Sequence, residues 1–267
     1  MTSILTIGEK GTPYEGQQIV MPVTLVETPN LFVYSIIAYK KTIEGLKRAG
    51  EVCVTNAPKQ FNSSINLAKK TTGKLEDFKN KIGDYSEFRV IAFTQPFKAN
   101  FKKTSEVLEI ALGSDKQKQL EWAQAHLGKE VPVTEFVKPG EFLDIIAVTK
   151  GHGWAGVVKR MGVALQPHKA TKRRRHGGSL GGETQAKIMY TVPRAGQYGY
   201  FRRTELNKKV LTVSEKPFEK PIKNFGVMKN PYLMIKGSIA GPEKRLLQLR
   251  KNIRNTKPAE VGQIELL

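Results

Sequence analysis

Apolar residues recur along this chain in short alternating or continuous runs, and no long helical stripe is visible. Ile4-Leu-Thr-Ile7, closed by Gly8 and Gly11, reads as a strand entering a turn. From Gln18 to Glu27, Val20, Pro22 and Thr24 alternate with Met21, Val23 and Leu25, which predicts a second strand. Pro22 lacks an amide donor, so this strand is expected at an edge or at the start of pairing. Leu31–Tyr39 is rich in β-branched and aromatic residues and predicts a third strand. The three are expected to form an antiparallel meander.

Beyond Lys40 the pattern changes. Residues 41–50 are mixed and basic, 51–55 reads as a short strand, and 56–82 is polar with weak helical spacing. Strands are expected at Phe88–Phe93 and Val107–Leu112, separated by a loop over Gln95–Thr104. Ser114 is placed to cap a helix running to about Leu127, with Leu120, Ala123 and Leu127 apolar and Gly128 just past the end. Trp122 and His126 fall on this helix and read as packing residues. Phe142–Thr149, Val210–Val213 and Tyr232–Ile235 predict further strands, with a loop marked by Pro217 and Pro221. Arg245–Arg250 suits a strand or a short helix with a basic face. Short strands before 40 and after 140 predict a mainly β fold: a β-barrel made of 1–39 and 138–267, interrupted by an α+β insertion at 40–137.

Charge alters this picture most between Lys150 and Lys209. The whole chain has 44 Lys and Arg against 24 Asp and Glu, a net charge of +20 and a pI near 9.9. Those sixty residues hold 14 of the bases and two acids, Glu183 and Glu205, hence +12 locally, together with ten of the 24 glycines. Lys and Arg are almost never buried unpaired, so such a segment lacks the apolar surface for a core of its own. Gly177, Gly178, Gly181, Gly182 and Pro193 interrupt any long helical or strand period. What the segment suits is lying along a polyanion, as a long excursion between two barrel strands. Three aromatics, Trp154, Tyr198 and Tyr200, flank the charge.

Other chemistries are disfavoured. Cys53 is the only cysteine, which gives neither a disulfide framework nor a thiolate metal site. No apolar run approaches a membrane span, and Met1-Thr-Ser-Ile-Leu5 lacks the form of a signal peptide, so a reducing cytoplasm is expected. Gly151-His-Gly153-Trp-Ala-Gly156 satisfies the dinucleotide fingerprint, but Gly162 and Pro167 break the helix that it requires. Gly177-Gly-Ser179-Leu-Gly181 satisfies the nucleophile-elbow pattern, yet Lys172–His176 is the opposite of a buried strand, and no Asp follows Asp144. Gly153–Gly156 lacks the flanking helices of a KH domain, and the four histidines have no metal-ligand spacing. Lys172-Arg-Arg-Arg175 reads equally as a localisation run or as a phosphate contact patch.

Several longer motifs occur in order. They are Val148-Thr-Lys-Gly-His-Gly-Trp-Ala-Gly-Val-Val-Lys-Arg160, Thr191-Val-Pro-Arg-Ala-Gly-Gln-Tyr-Gly-Tyr-Phe-Arg-Arg-Thr-Glu-Leu-Asn-Lys-Lys209 and Ile235-Lys-Gly-Ser-Ile-Ala-Gly-Pro-Glu-Lys-Arg-Leu-Leu247. With Met21-Pro-Val-Thr-Leu-Val-Glu-Thr-Pro29, they make the chain resemble the large-subunit ribosomal protein three family in its archaeal and eukaryotic form. The resemblance runs from about Ile4 to Arg250 and is weakest over 56–105. It implies a translation-factor-like β-barrel carrying a long basic, glycine-rich extension that enters ribosomal RNA, its tip near the peptidyl transferase centre. It also implies a non-catalytic role without cofactors in the cytoplasmic ribosome: early assembly of the large subunit and bracing of RNA beside neighbouring ribosomal proteins.

Carried over residue by residue, Lys150, Lys159 and Arg160 fall on the basic positions of the first signature. Arg194, Gln197, Tyr200, Arg202, Arg203 and Asn207 fall on the second, with Lys208 beside them. His152, Lys169, Lys172, Arg173, Arg174, Arg175 and His176 complete the expected RNA-binding set. Arg and Lys neutralise phosphates, Gln and Asn bond bases or 2′-hydroxyls, and Trp154 or Tyr200 can stack on a splayed base. For Trp154, packing under the extension is an equal alternative. The expected tip is Leu180, Gly181, Gly182 and Glu183, where the family usually carries a Trp near the position of Glu183. A carboxylate repels phosphate and would need a cation beside it. The family's basic N-terminal arm has no counterpart before Met1, so either the arm is lost or the start lies upstream. The competing readings are a free-standing β-barrel RNA-binding or RNA-modifying protein, and a barrel that binds a protein or acidic membrane through its basic arm.

Overall fold

The computed structural model describes all residues except 9, 10, 71, 72, 74, 170–172, 183–185, 256, 260, 263 and 267, together with all but the side chains of Glu219 and Leu266. Two compact units emerge. The first comprises Met1–Phe142, Lys209–Ser238 and Thr256–Leu267; the second comprises Leu143–Lys208 and Ile239–Asn255. Among the described residues the fold is mainly β, as the alternation predicts.

In chain order the elements are β1 (Thr2–Ile7), β2 (Gln18–Glu27), β3 (Leu31–Thr42), β4 (Gly45–Cys53), α1 (Leu75–Asn80), β5 (Glu87–Phe93) and β6 (Val107–Ala111). There follow α2 (Lys116–His126), β7 (Glu130–Val131), β8 (Phe142–Val148), β9 (Gly151–Ala155), α3 (Val157–Met161), β10 (Gly196–Gly199) and β11 (Arg202–Ser214). The last are β12 (Phe218–Ile222), β13 (Gly226–Met228), β14 (Tyr232–Lys236), β15 (Gln248–Lys251) and β16 (Ile264–Leu266).

In the first unit one antiparallel sheet runs from the end of β11 through β14, β2 and β1 to β16. Ile4, Val23, Leu211, Tyr232 and Met234 of this sheet form a buried cluster with Phe218 and Met228 of the β12–β13 hairpin. This sheet does not close into the expected barrel. Its edge strand β16 has three residues, and its outer side pairs with no described strand.

The third predicted strand is also missing from this sheet. It is β3, and it lies between β4 and β5 in a second sheet of order β4-β3-β5-β6. The physical reason is visible in its side chains. Phe32 through Ala38 are all buried, which suits a central strand covered on both faces and not one arm of a half-exposed meander. Phe32 and Tyr34 pack with Phe61 and Phe93 on one face, while Val33, Ile36 and Ala38 meet Phe88, Leu120 and Ala123 on the other. A register shift between Val33 and Ser35 lets residues 33 and 36 share a face.

Helix α2 covers that second face, as the apolar spacing of Leu120, Ala123 and Leu127 anticipates. Its cap position is Asp115, not Ser114, and Gly128 follows it at φ 77. Buried Gln119 ties the helix to the sheet. Its Oε1 accepts the Phe88 amide at 2.9 Å, and its Nε2 donates to the Leu112 and Ser114 carbonyls at 3.0 and 2.9 Å. The expected loop at Pro217 and Pro221 is a hairpin of β12 and β13 instead. Its anchor is Phe218, whose ring meets Tyr232 edge-on at 5.6 Å between centroids.

Candidate nucleic-acid interface

The second unit contains most of the basic stretch, and more of it is ordered than its composition predicts. Strand β9 pairs with β10, placing Ala155 opposite Gly196, Trp154 opposite Gln197 and Gly151 opposite Gly199. Gly199 has φ 73, and a Cβ there would lie 2.1 Å from the Lys150 carbonyl oxygen, so a side chain would break this approach. The short α3 follows and stops at Gly162, which takes the left-handed conformation and donates its amide to the Val158 carbonyl at 3.0 Å. Strand β11 begins at Arg202, eight residues before the predicted strand at Val210. From 163 to 195 no helix or strand occurs among the described residues.

These elements account for the two tempting glycine motifs. The three glycines of the dinucleotide-like pattern lie in β9 or just past its end, and α3 has only five residues. Nothing resembling the strand of a nucleophile elbow precedes Ser179 among the described residues.

The predicted site residues divide into two kinds. One kind faces outward. Trp154 is 81% exposed and Tyr200 is 64% exposed. Lys159, Lys169, Arg173, Arg174, Arg175, Arg194, Arg202 and Arg203 are exposed as well. The Arg203 guanidinium lies 5.5 Å from the Phe201 ring centroid, and Arg245 lies 5.1 Å from that of Tyr200. His152 stacks on Tyr198 with centroids 5.1 Å apart and planes at 23°. Arg174 is steadied by the Gln166 backbone, which donates to the Arg174 carbonyl at 3.1 Å and accepts its Nε at 3.4 Å. A groove of about 340 Å³ brings together Arg175, His176, Leu180 and Arg194 beside Val157.

The other kind holds the protein together. Arg160 Nε donates to the Gln197 carbonyl at 3.0 Å, and its Nη1 donates to the Arg194 carbonyl at 2.8 Å. The guanidinium thus bolts α3 to the chain entering β10. A Cβ on Gly196 would stand 3.1 Å from Arg160 Cζ, so the glycine makes room for the flat group. Asn207, at φ 56, gives its amide to Asp144 Oδ1 at 3.3 Å and accepts the Asn252 side-chain amide through its own Oδ1. Asn252 Oδ1 accepts the Arg254 and Asn255 amides at 2.7 and 3.1 Å. Lys208 pairs with Glu205 at 2.8 Å. Arg160 Nε and Nη1 and Asn207 N and Oδ1 thus have partners within the protein.

Lys150 lies at the root of β9, where its carbonyl accepts the Tyr200 amide at 3.2 Å. A hydrogen bond from the backbone amide of Glu243 itself, followed by the nearby Lys150 ammonium, holds the Glu243 carboxyl below its ordinary value. Gln197 turns its side-chain amide onto the Gly199 carbonyl at 3.2 Å. At the predicted tip, Gly181 and Gly182 have φ of 69 and 101, and Gly182 passes close to the Lys187 carbonyl. Lys172 and Glu183 lie outside the described residues. Sequence reasoning missed Arg245 as a partner of Tyr200, because 45 positions separate the two along the chain and only the fold brings them together. No group of three metal-ligating side chains is found among the described residues, and no described helix is long and apolar enough to cross a membrane.

A sequence profile of the ribosomal protein L3 family matches residues 1–266. The chain belongs to that family. It is 41% identical over 288 residues to the large ribosomal subunit protein uL3 of Methanothermobacter thermautotrophicus, covering 100% of this chain and 84% of that protein. It is 38% identical to the uL3 of Nanoarchaeum equitans over 249 residues, covering 92% of this chain and 78% of the relative. With the uL3 of Archaeoglobus fulgidus it shares 37% identity over 267 residues, covering 96% and 80%. The archaeal character expected from the signature motifs is borne out by these relatives.

Proposed function

We propose that this L3-family chain is a structural constituent of the large ribosomal subunit that binds ribosomal RNA through its second unit. The observation that carries the reading is the exposure of Trp154 and Tyr200 among bases, in a segment of charge +12. A large indole left in water on a strand is costly unless a partner covers it, and unpaired bases are the partners that every π-face accepts. The cations around it supply sequence-independent attraction through counterion release, while RNA shape and stacking supply specificity.

In this reading Lys150, Lys159, Lys169, the run Lys172–Arg175, Arg194, Arg202 and Arg203 meet phosphates, and the groove at Arg175, His176 and Arg194 seats one of them. Residues 163–195 are the extension that enters RNA, with Gly181 and Gly182 at its tip. Support of early assembly and bracing near the peptidyl transferase centre follow from the family resemblance, as does a non-enzymatic role in the cytoplasmic ribosome beside other large-subunit proteins. The body formed by 1–39 and 138–267, interrupted by 40–137, stays part of this reading as the mount of the extension.

Sedimentation of cell lysate through a high-salt gradient tests it. Co-migration with the large subunit, resistant to salt that strips peripheral factors, is the expected result. A protein that stays at the top of the gradient would favour a free-standing RNA-binding role.

A further inference from the structure

A second basic surface lies outside the extension. Strand β3 pairs with β5 only as far as Tyr39, opposite Glu87, but its pairing with β4 continues. Lys40 faces Lys47, Lys41 faces Leu46, and Thr42 faces Gly45. Residues 40–47 therefore form a two-stranded ribbon beyond the last rung shared with β5, turned through Ile43 and Glu44, and every one of them is exposed.

This ribbon opposes its own stability in three ways. Two strands without a third have little independent stability in water. Like charges placed directly opposite each other are unfavourable, and Lys40 and Lys47 are such a pair. Ile43 at the turn is fully exposed. Below the ribbon the cations of the same sheet are answered by carboxylates: Arg48 pairs with Glu51, and Arg89 pairs with Glu87 and Glu109. Lys40, Lys41 and Lys47 have no ion pair among the described residues.

We propose that the ribbon 40–47 is a second RNA contact, in which Lys40 and Lys47 together hold backbone phosphates of ribosomal RNA. The inference rests on the reading that this chain binds ribosomal RNA. Two ammonium groups on one face at cross-strand spacing are point charges without a built-in anion, and a phosphate between them turns their repulsion into shared attraction. Ile43 offers an apolar edge to a ribose or an unstacked base. An RNA backbone supplies negative charge continuously along such a ribbon, which matches a chain whose net charge is +20.

The test uses the full chain and transcribed archaeal large-subunit ribosomal RNA, with affinity measured across a salt series. Lys40→Thr with Lys47→Thr removes both charges and installs residues that suit strands, and Lys40→Arg with Lys47→Arg retains the charges. Between about 50 and 200 mM salt the unaltered chain should lose about tenfold more affinity than the double Thr variant, because two phosphate contacts are gone. The Arg variant should follow the unaltered chain, and the thermal midpoint of the Thr variant should stay level or rise. Equal affinity and salt slope for the unaltered chain and the Thr variant would overturn the ribbon as an RNA contact while RNA binding itself stands, and would turn the ribbon over to an acidic protein surface. A thermal midpoint that falls together with affinity would assign the lysines to folding and also overturn it. If the unaltered chain does not retain the RNA, the broader reading fails, and the ribbon contact fails with it.

Discussion

Arg250 stands directly opposite Asp144 across the pair of β8 and β15, its Nη2 2.6 Å from Oδ2. The carboxylate is buried, with a side chain 2% exposed, whereas the guanidinium is 47% exposed. Asp144 also takes the amide of Asn207, so one acid closes two strands and the left-handed turn of a third. Truncating Arg250 to Ala leaves a buried charge with one neutral donor. The expected cost is about 2 kcal/mol, below that of breaking a fully buried pair because Arg250 is half in water. Urea denaturation checks it, and a loss under about 0.5 kcal/mol would mean the pair contributes little.

Arg160 should behave as a positioning residue and not as a phosphate ligand. Arg160→Ala frees the Arg194 and Gln197 carbonyls, so protease cleavage within 163–195 should accelerate. RNA affinity should fall while its salt slope stays unchanged, whereas loss of a true phosphate contact would lower the slope by about 0.7–0.9. Arg160→Lys should rescue poorly, since a single ammonium does not reproduce the forked pair of bonds. A reduced salt slope for Arg160→Ala would return this residue to the RNA-facing set.

Trp154 is expected to separate binding from stability. Trp154→Ala should change the unfolding free energy by less than about 0.5 kcal/mol, since the side chain packs on little. Its RNA complex should weaken by about 1–3 kcal/mol from lost base stacking. Quenching of Trp154 fluorescence on RNA addition, in a Trp122→Phe background, offers an independent readout. Unchanged fluorescence at saturation would remove Trp154 from the interface.

Glu130 links pH to the stability of the first unit. Burial pushes its carboxyl up, but hydrogen bonds from Lys98 and Asn30, with the Lys98 charge, outweigh that and leave it lowered from 4.5. A lowered folded value means the stabilisation is present above the unfolded pKa and is lost as pH falls through the folded one. The stability gap between the native chain and Glu130→Gln should therefore be constant near neutrality and shrink as pH drops below 4.5. The side chain is 39% exposed, so salt should reduce the gap. A pH-independent gap would rule the ion pair out as its source.

The sequence by itself determined the strands whose alternation matches a half-buried sheet, among them β2, β5 and β6, because that pattern is local. It determined the helix α2 from the spacing of Leu120, Ala123 and Leu127, and the solvent-facing character of much of 150–209 from charge that no core could hold. Ordered motifs also placed the chain in its family. Tertiary structure decided that β3 leaves the first sheet, since a strand apolar on both faces is drawn to wherever two layers cover it. It decided too that β9 and β10 pair inside the basic stretch, where glycines hide the strand period. Most directly, it separated Arg160 and Asn207 from Trp154 and Arg203. All four are polar or amphipathic residues in RNA-binding signatures, and composition treats them alike. Whether such a group is bonded inside the protein or left facing outward depends on carbonyls and side chains that arrive from distant sequence: Arg194 and Gln197 for Arg160, Asn252 for Asn207. Hydrogen-bond partners are fixed by proximity in space, which no local pattern encodes.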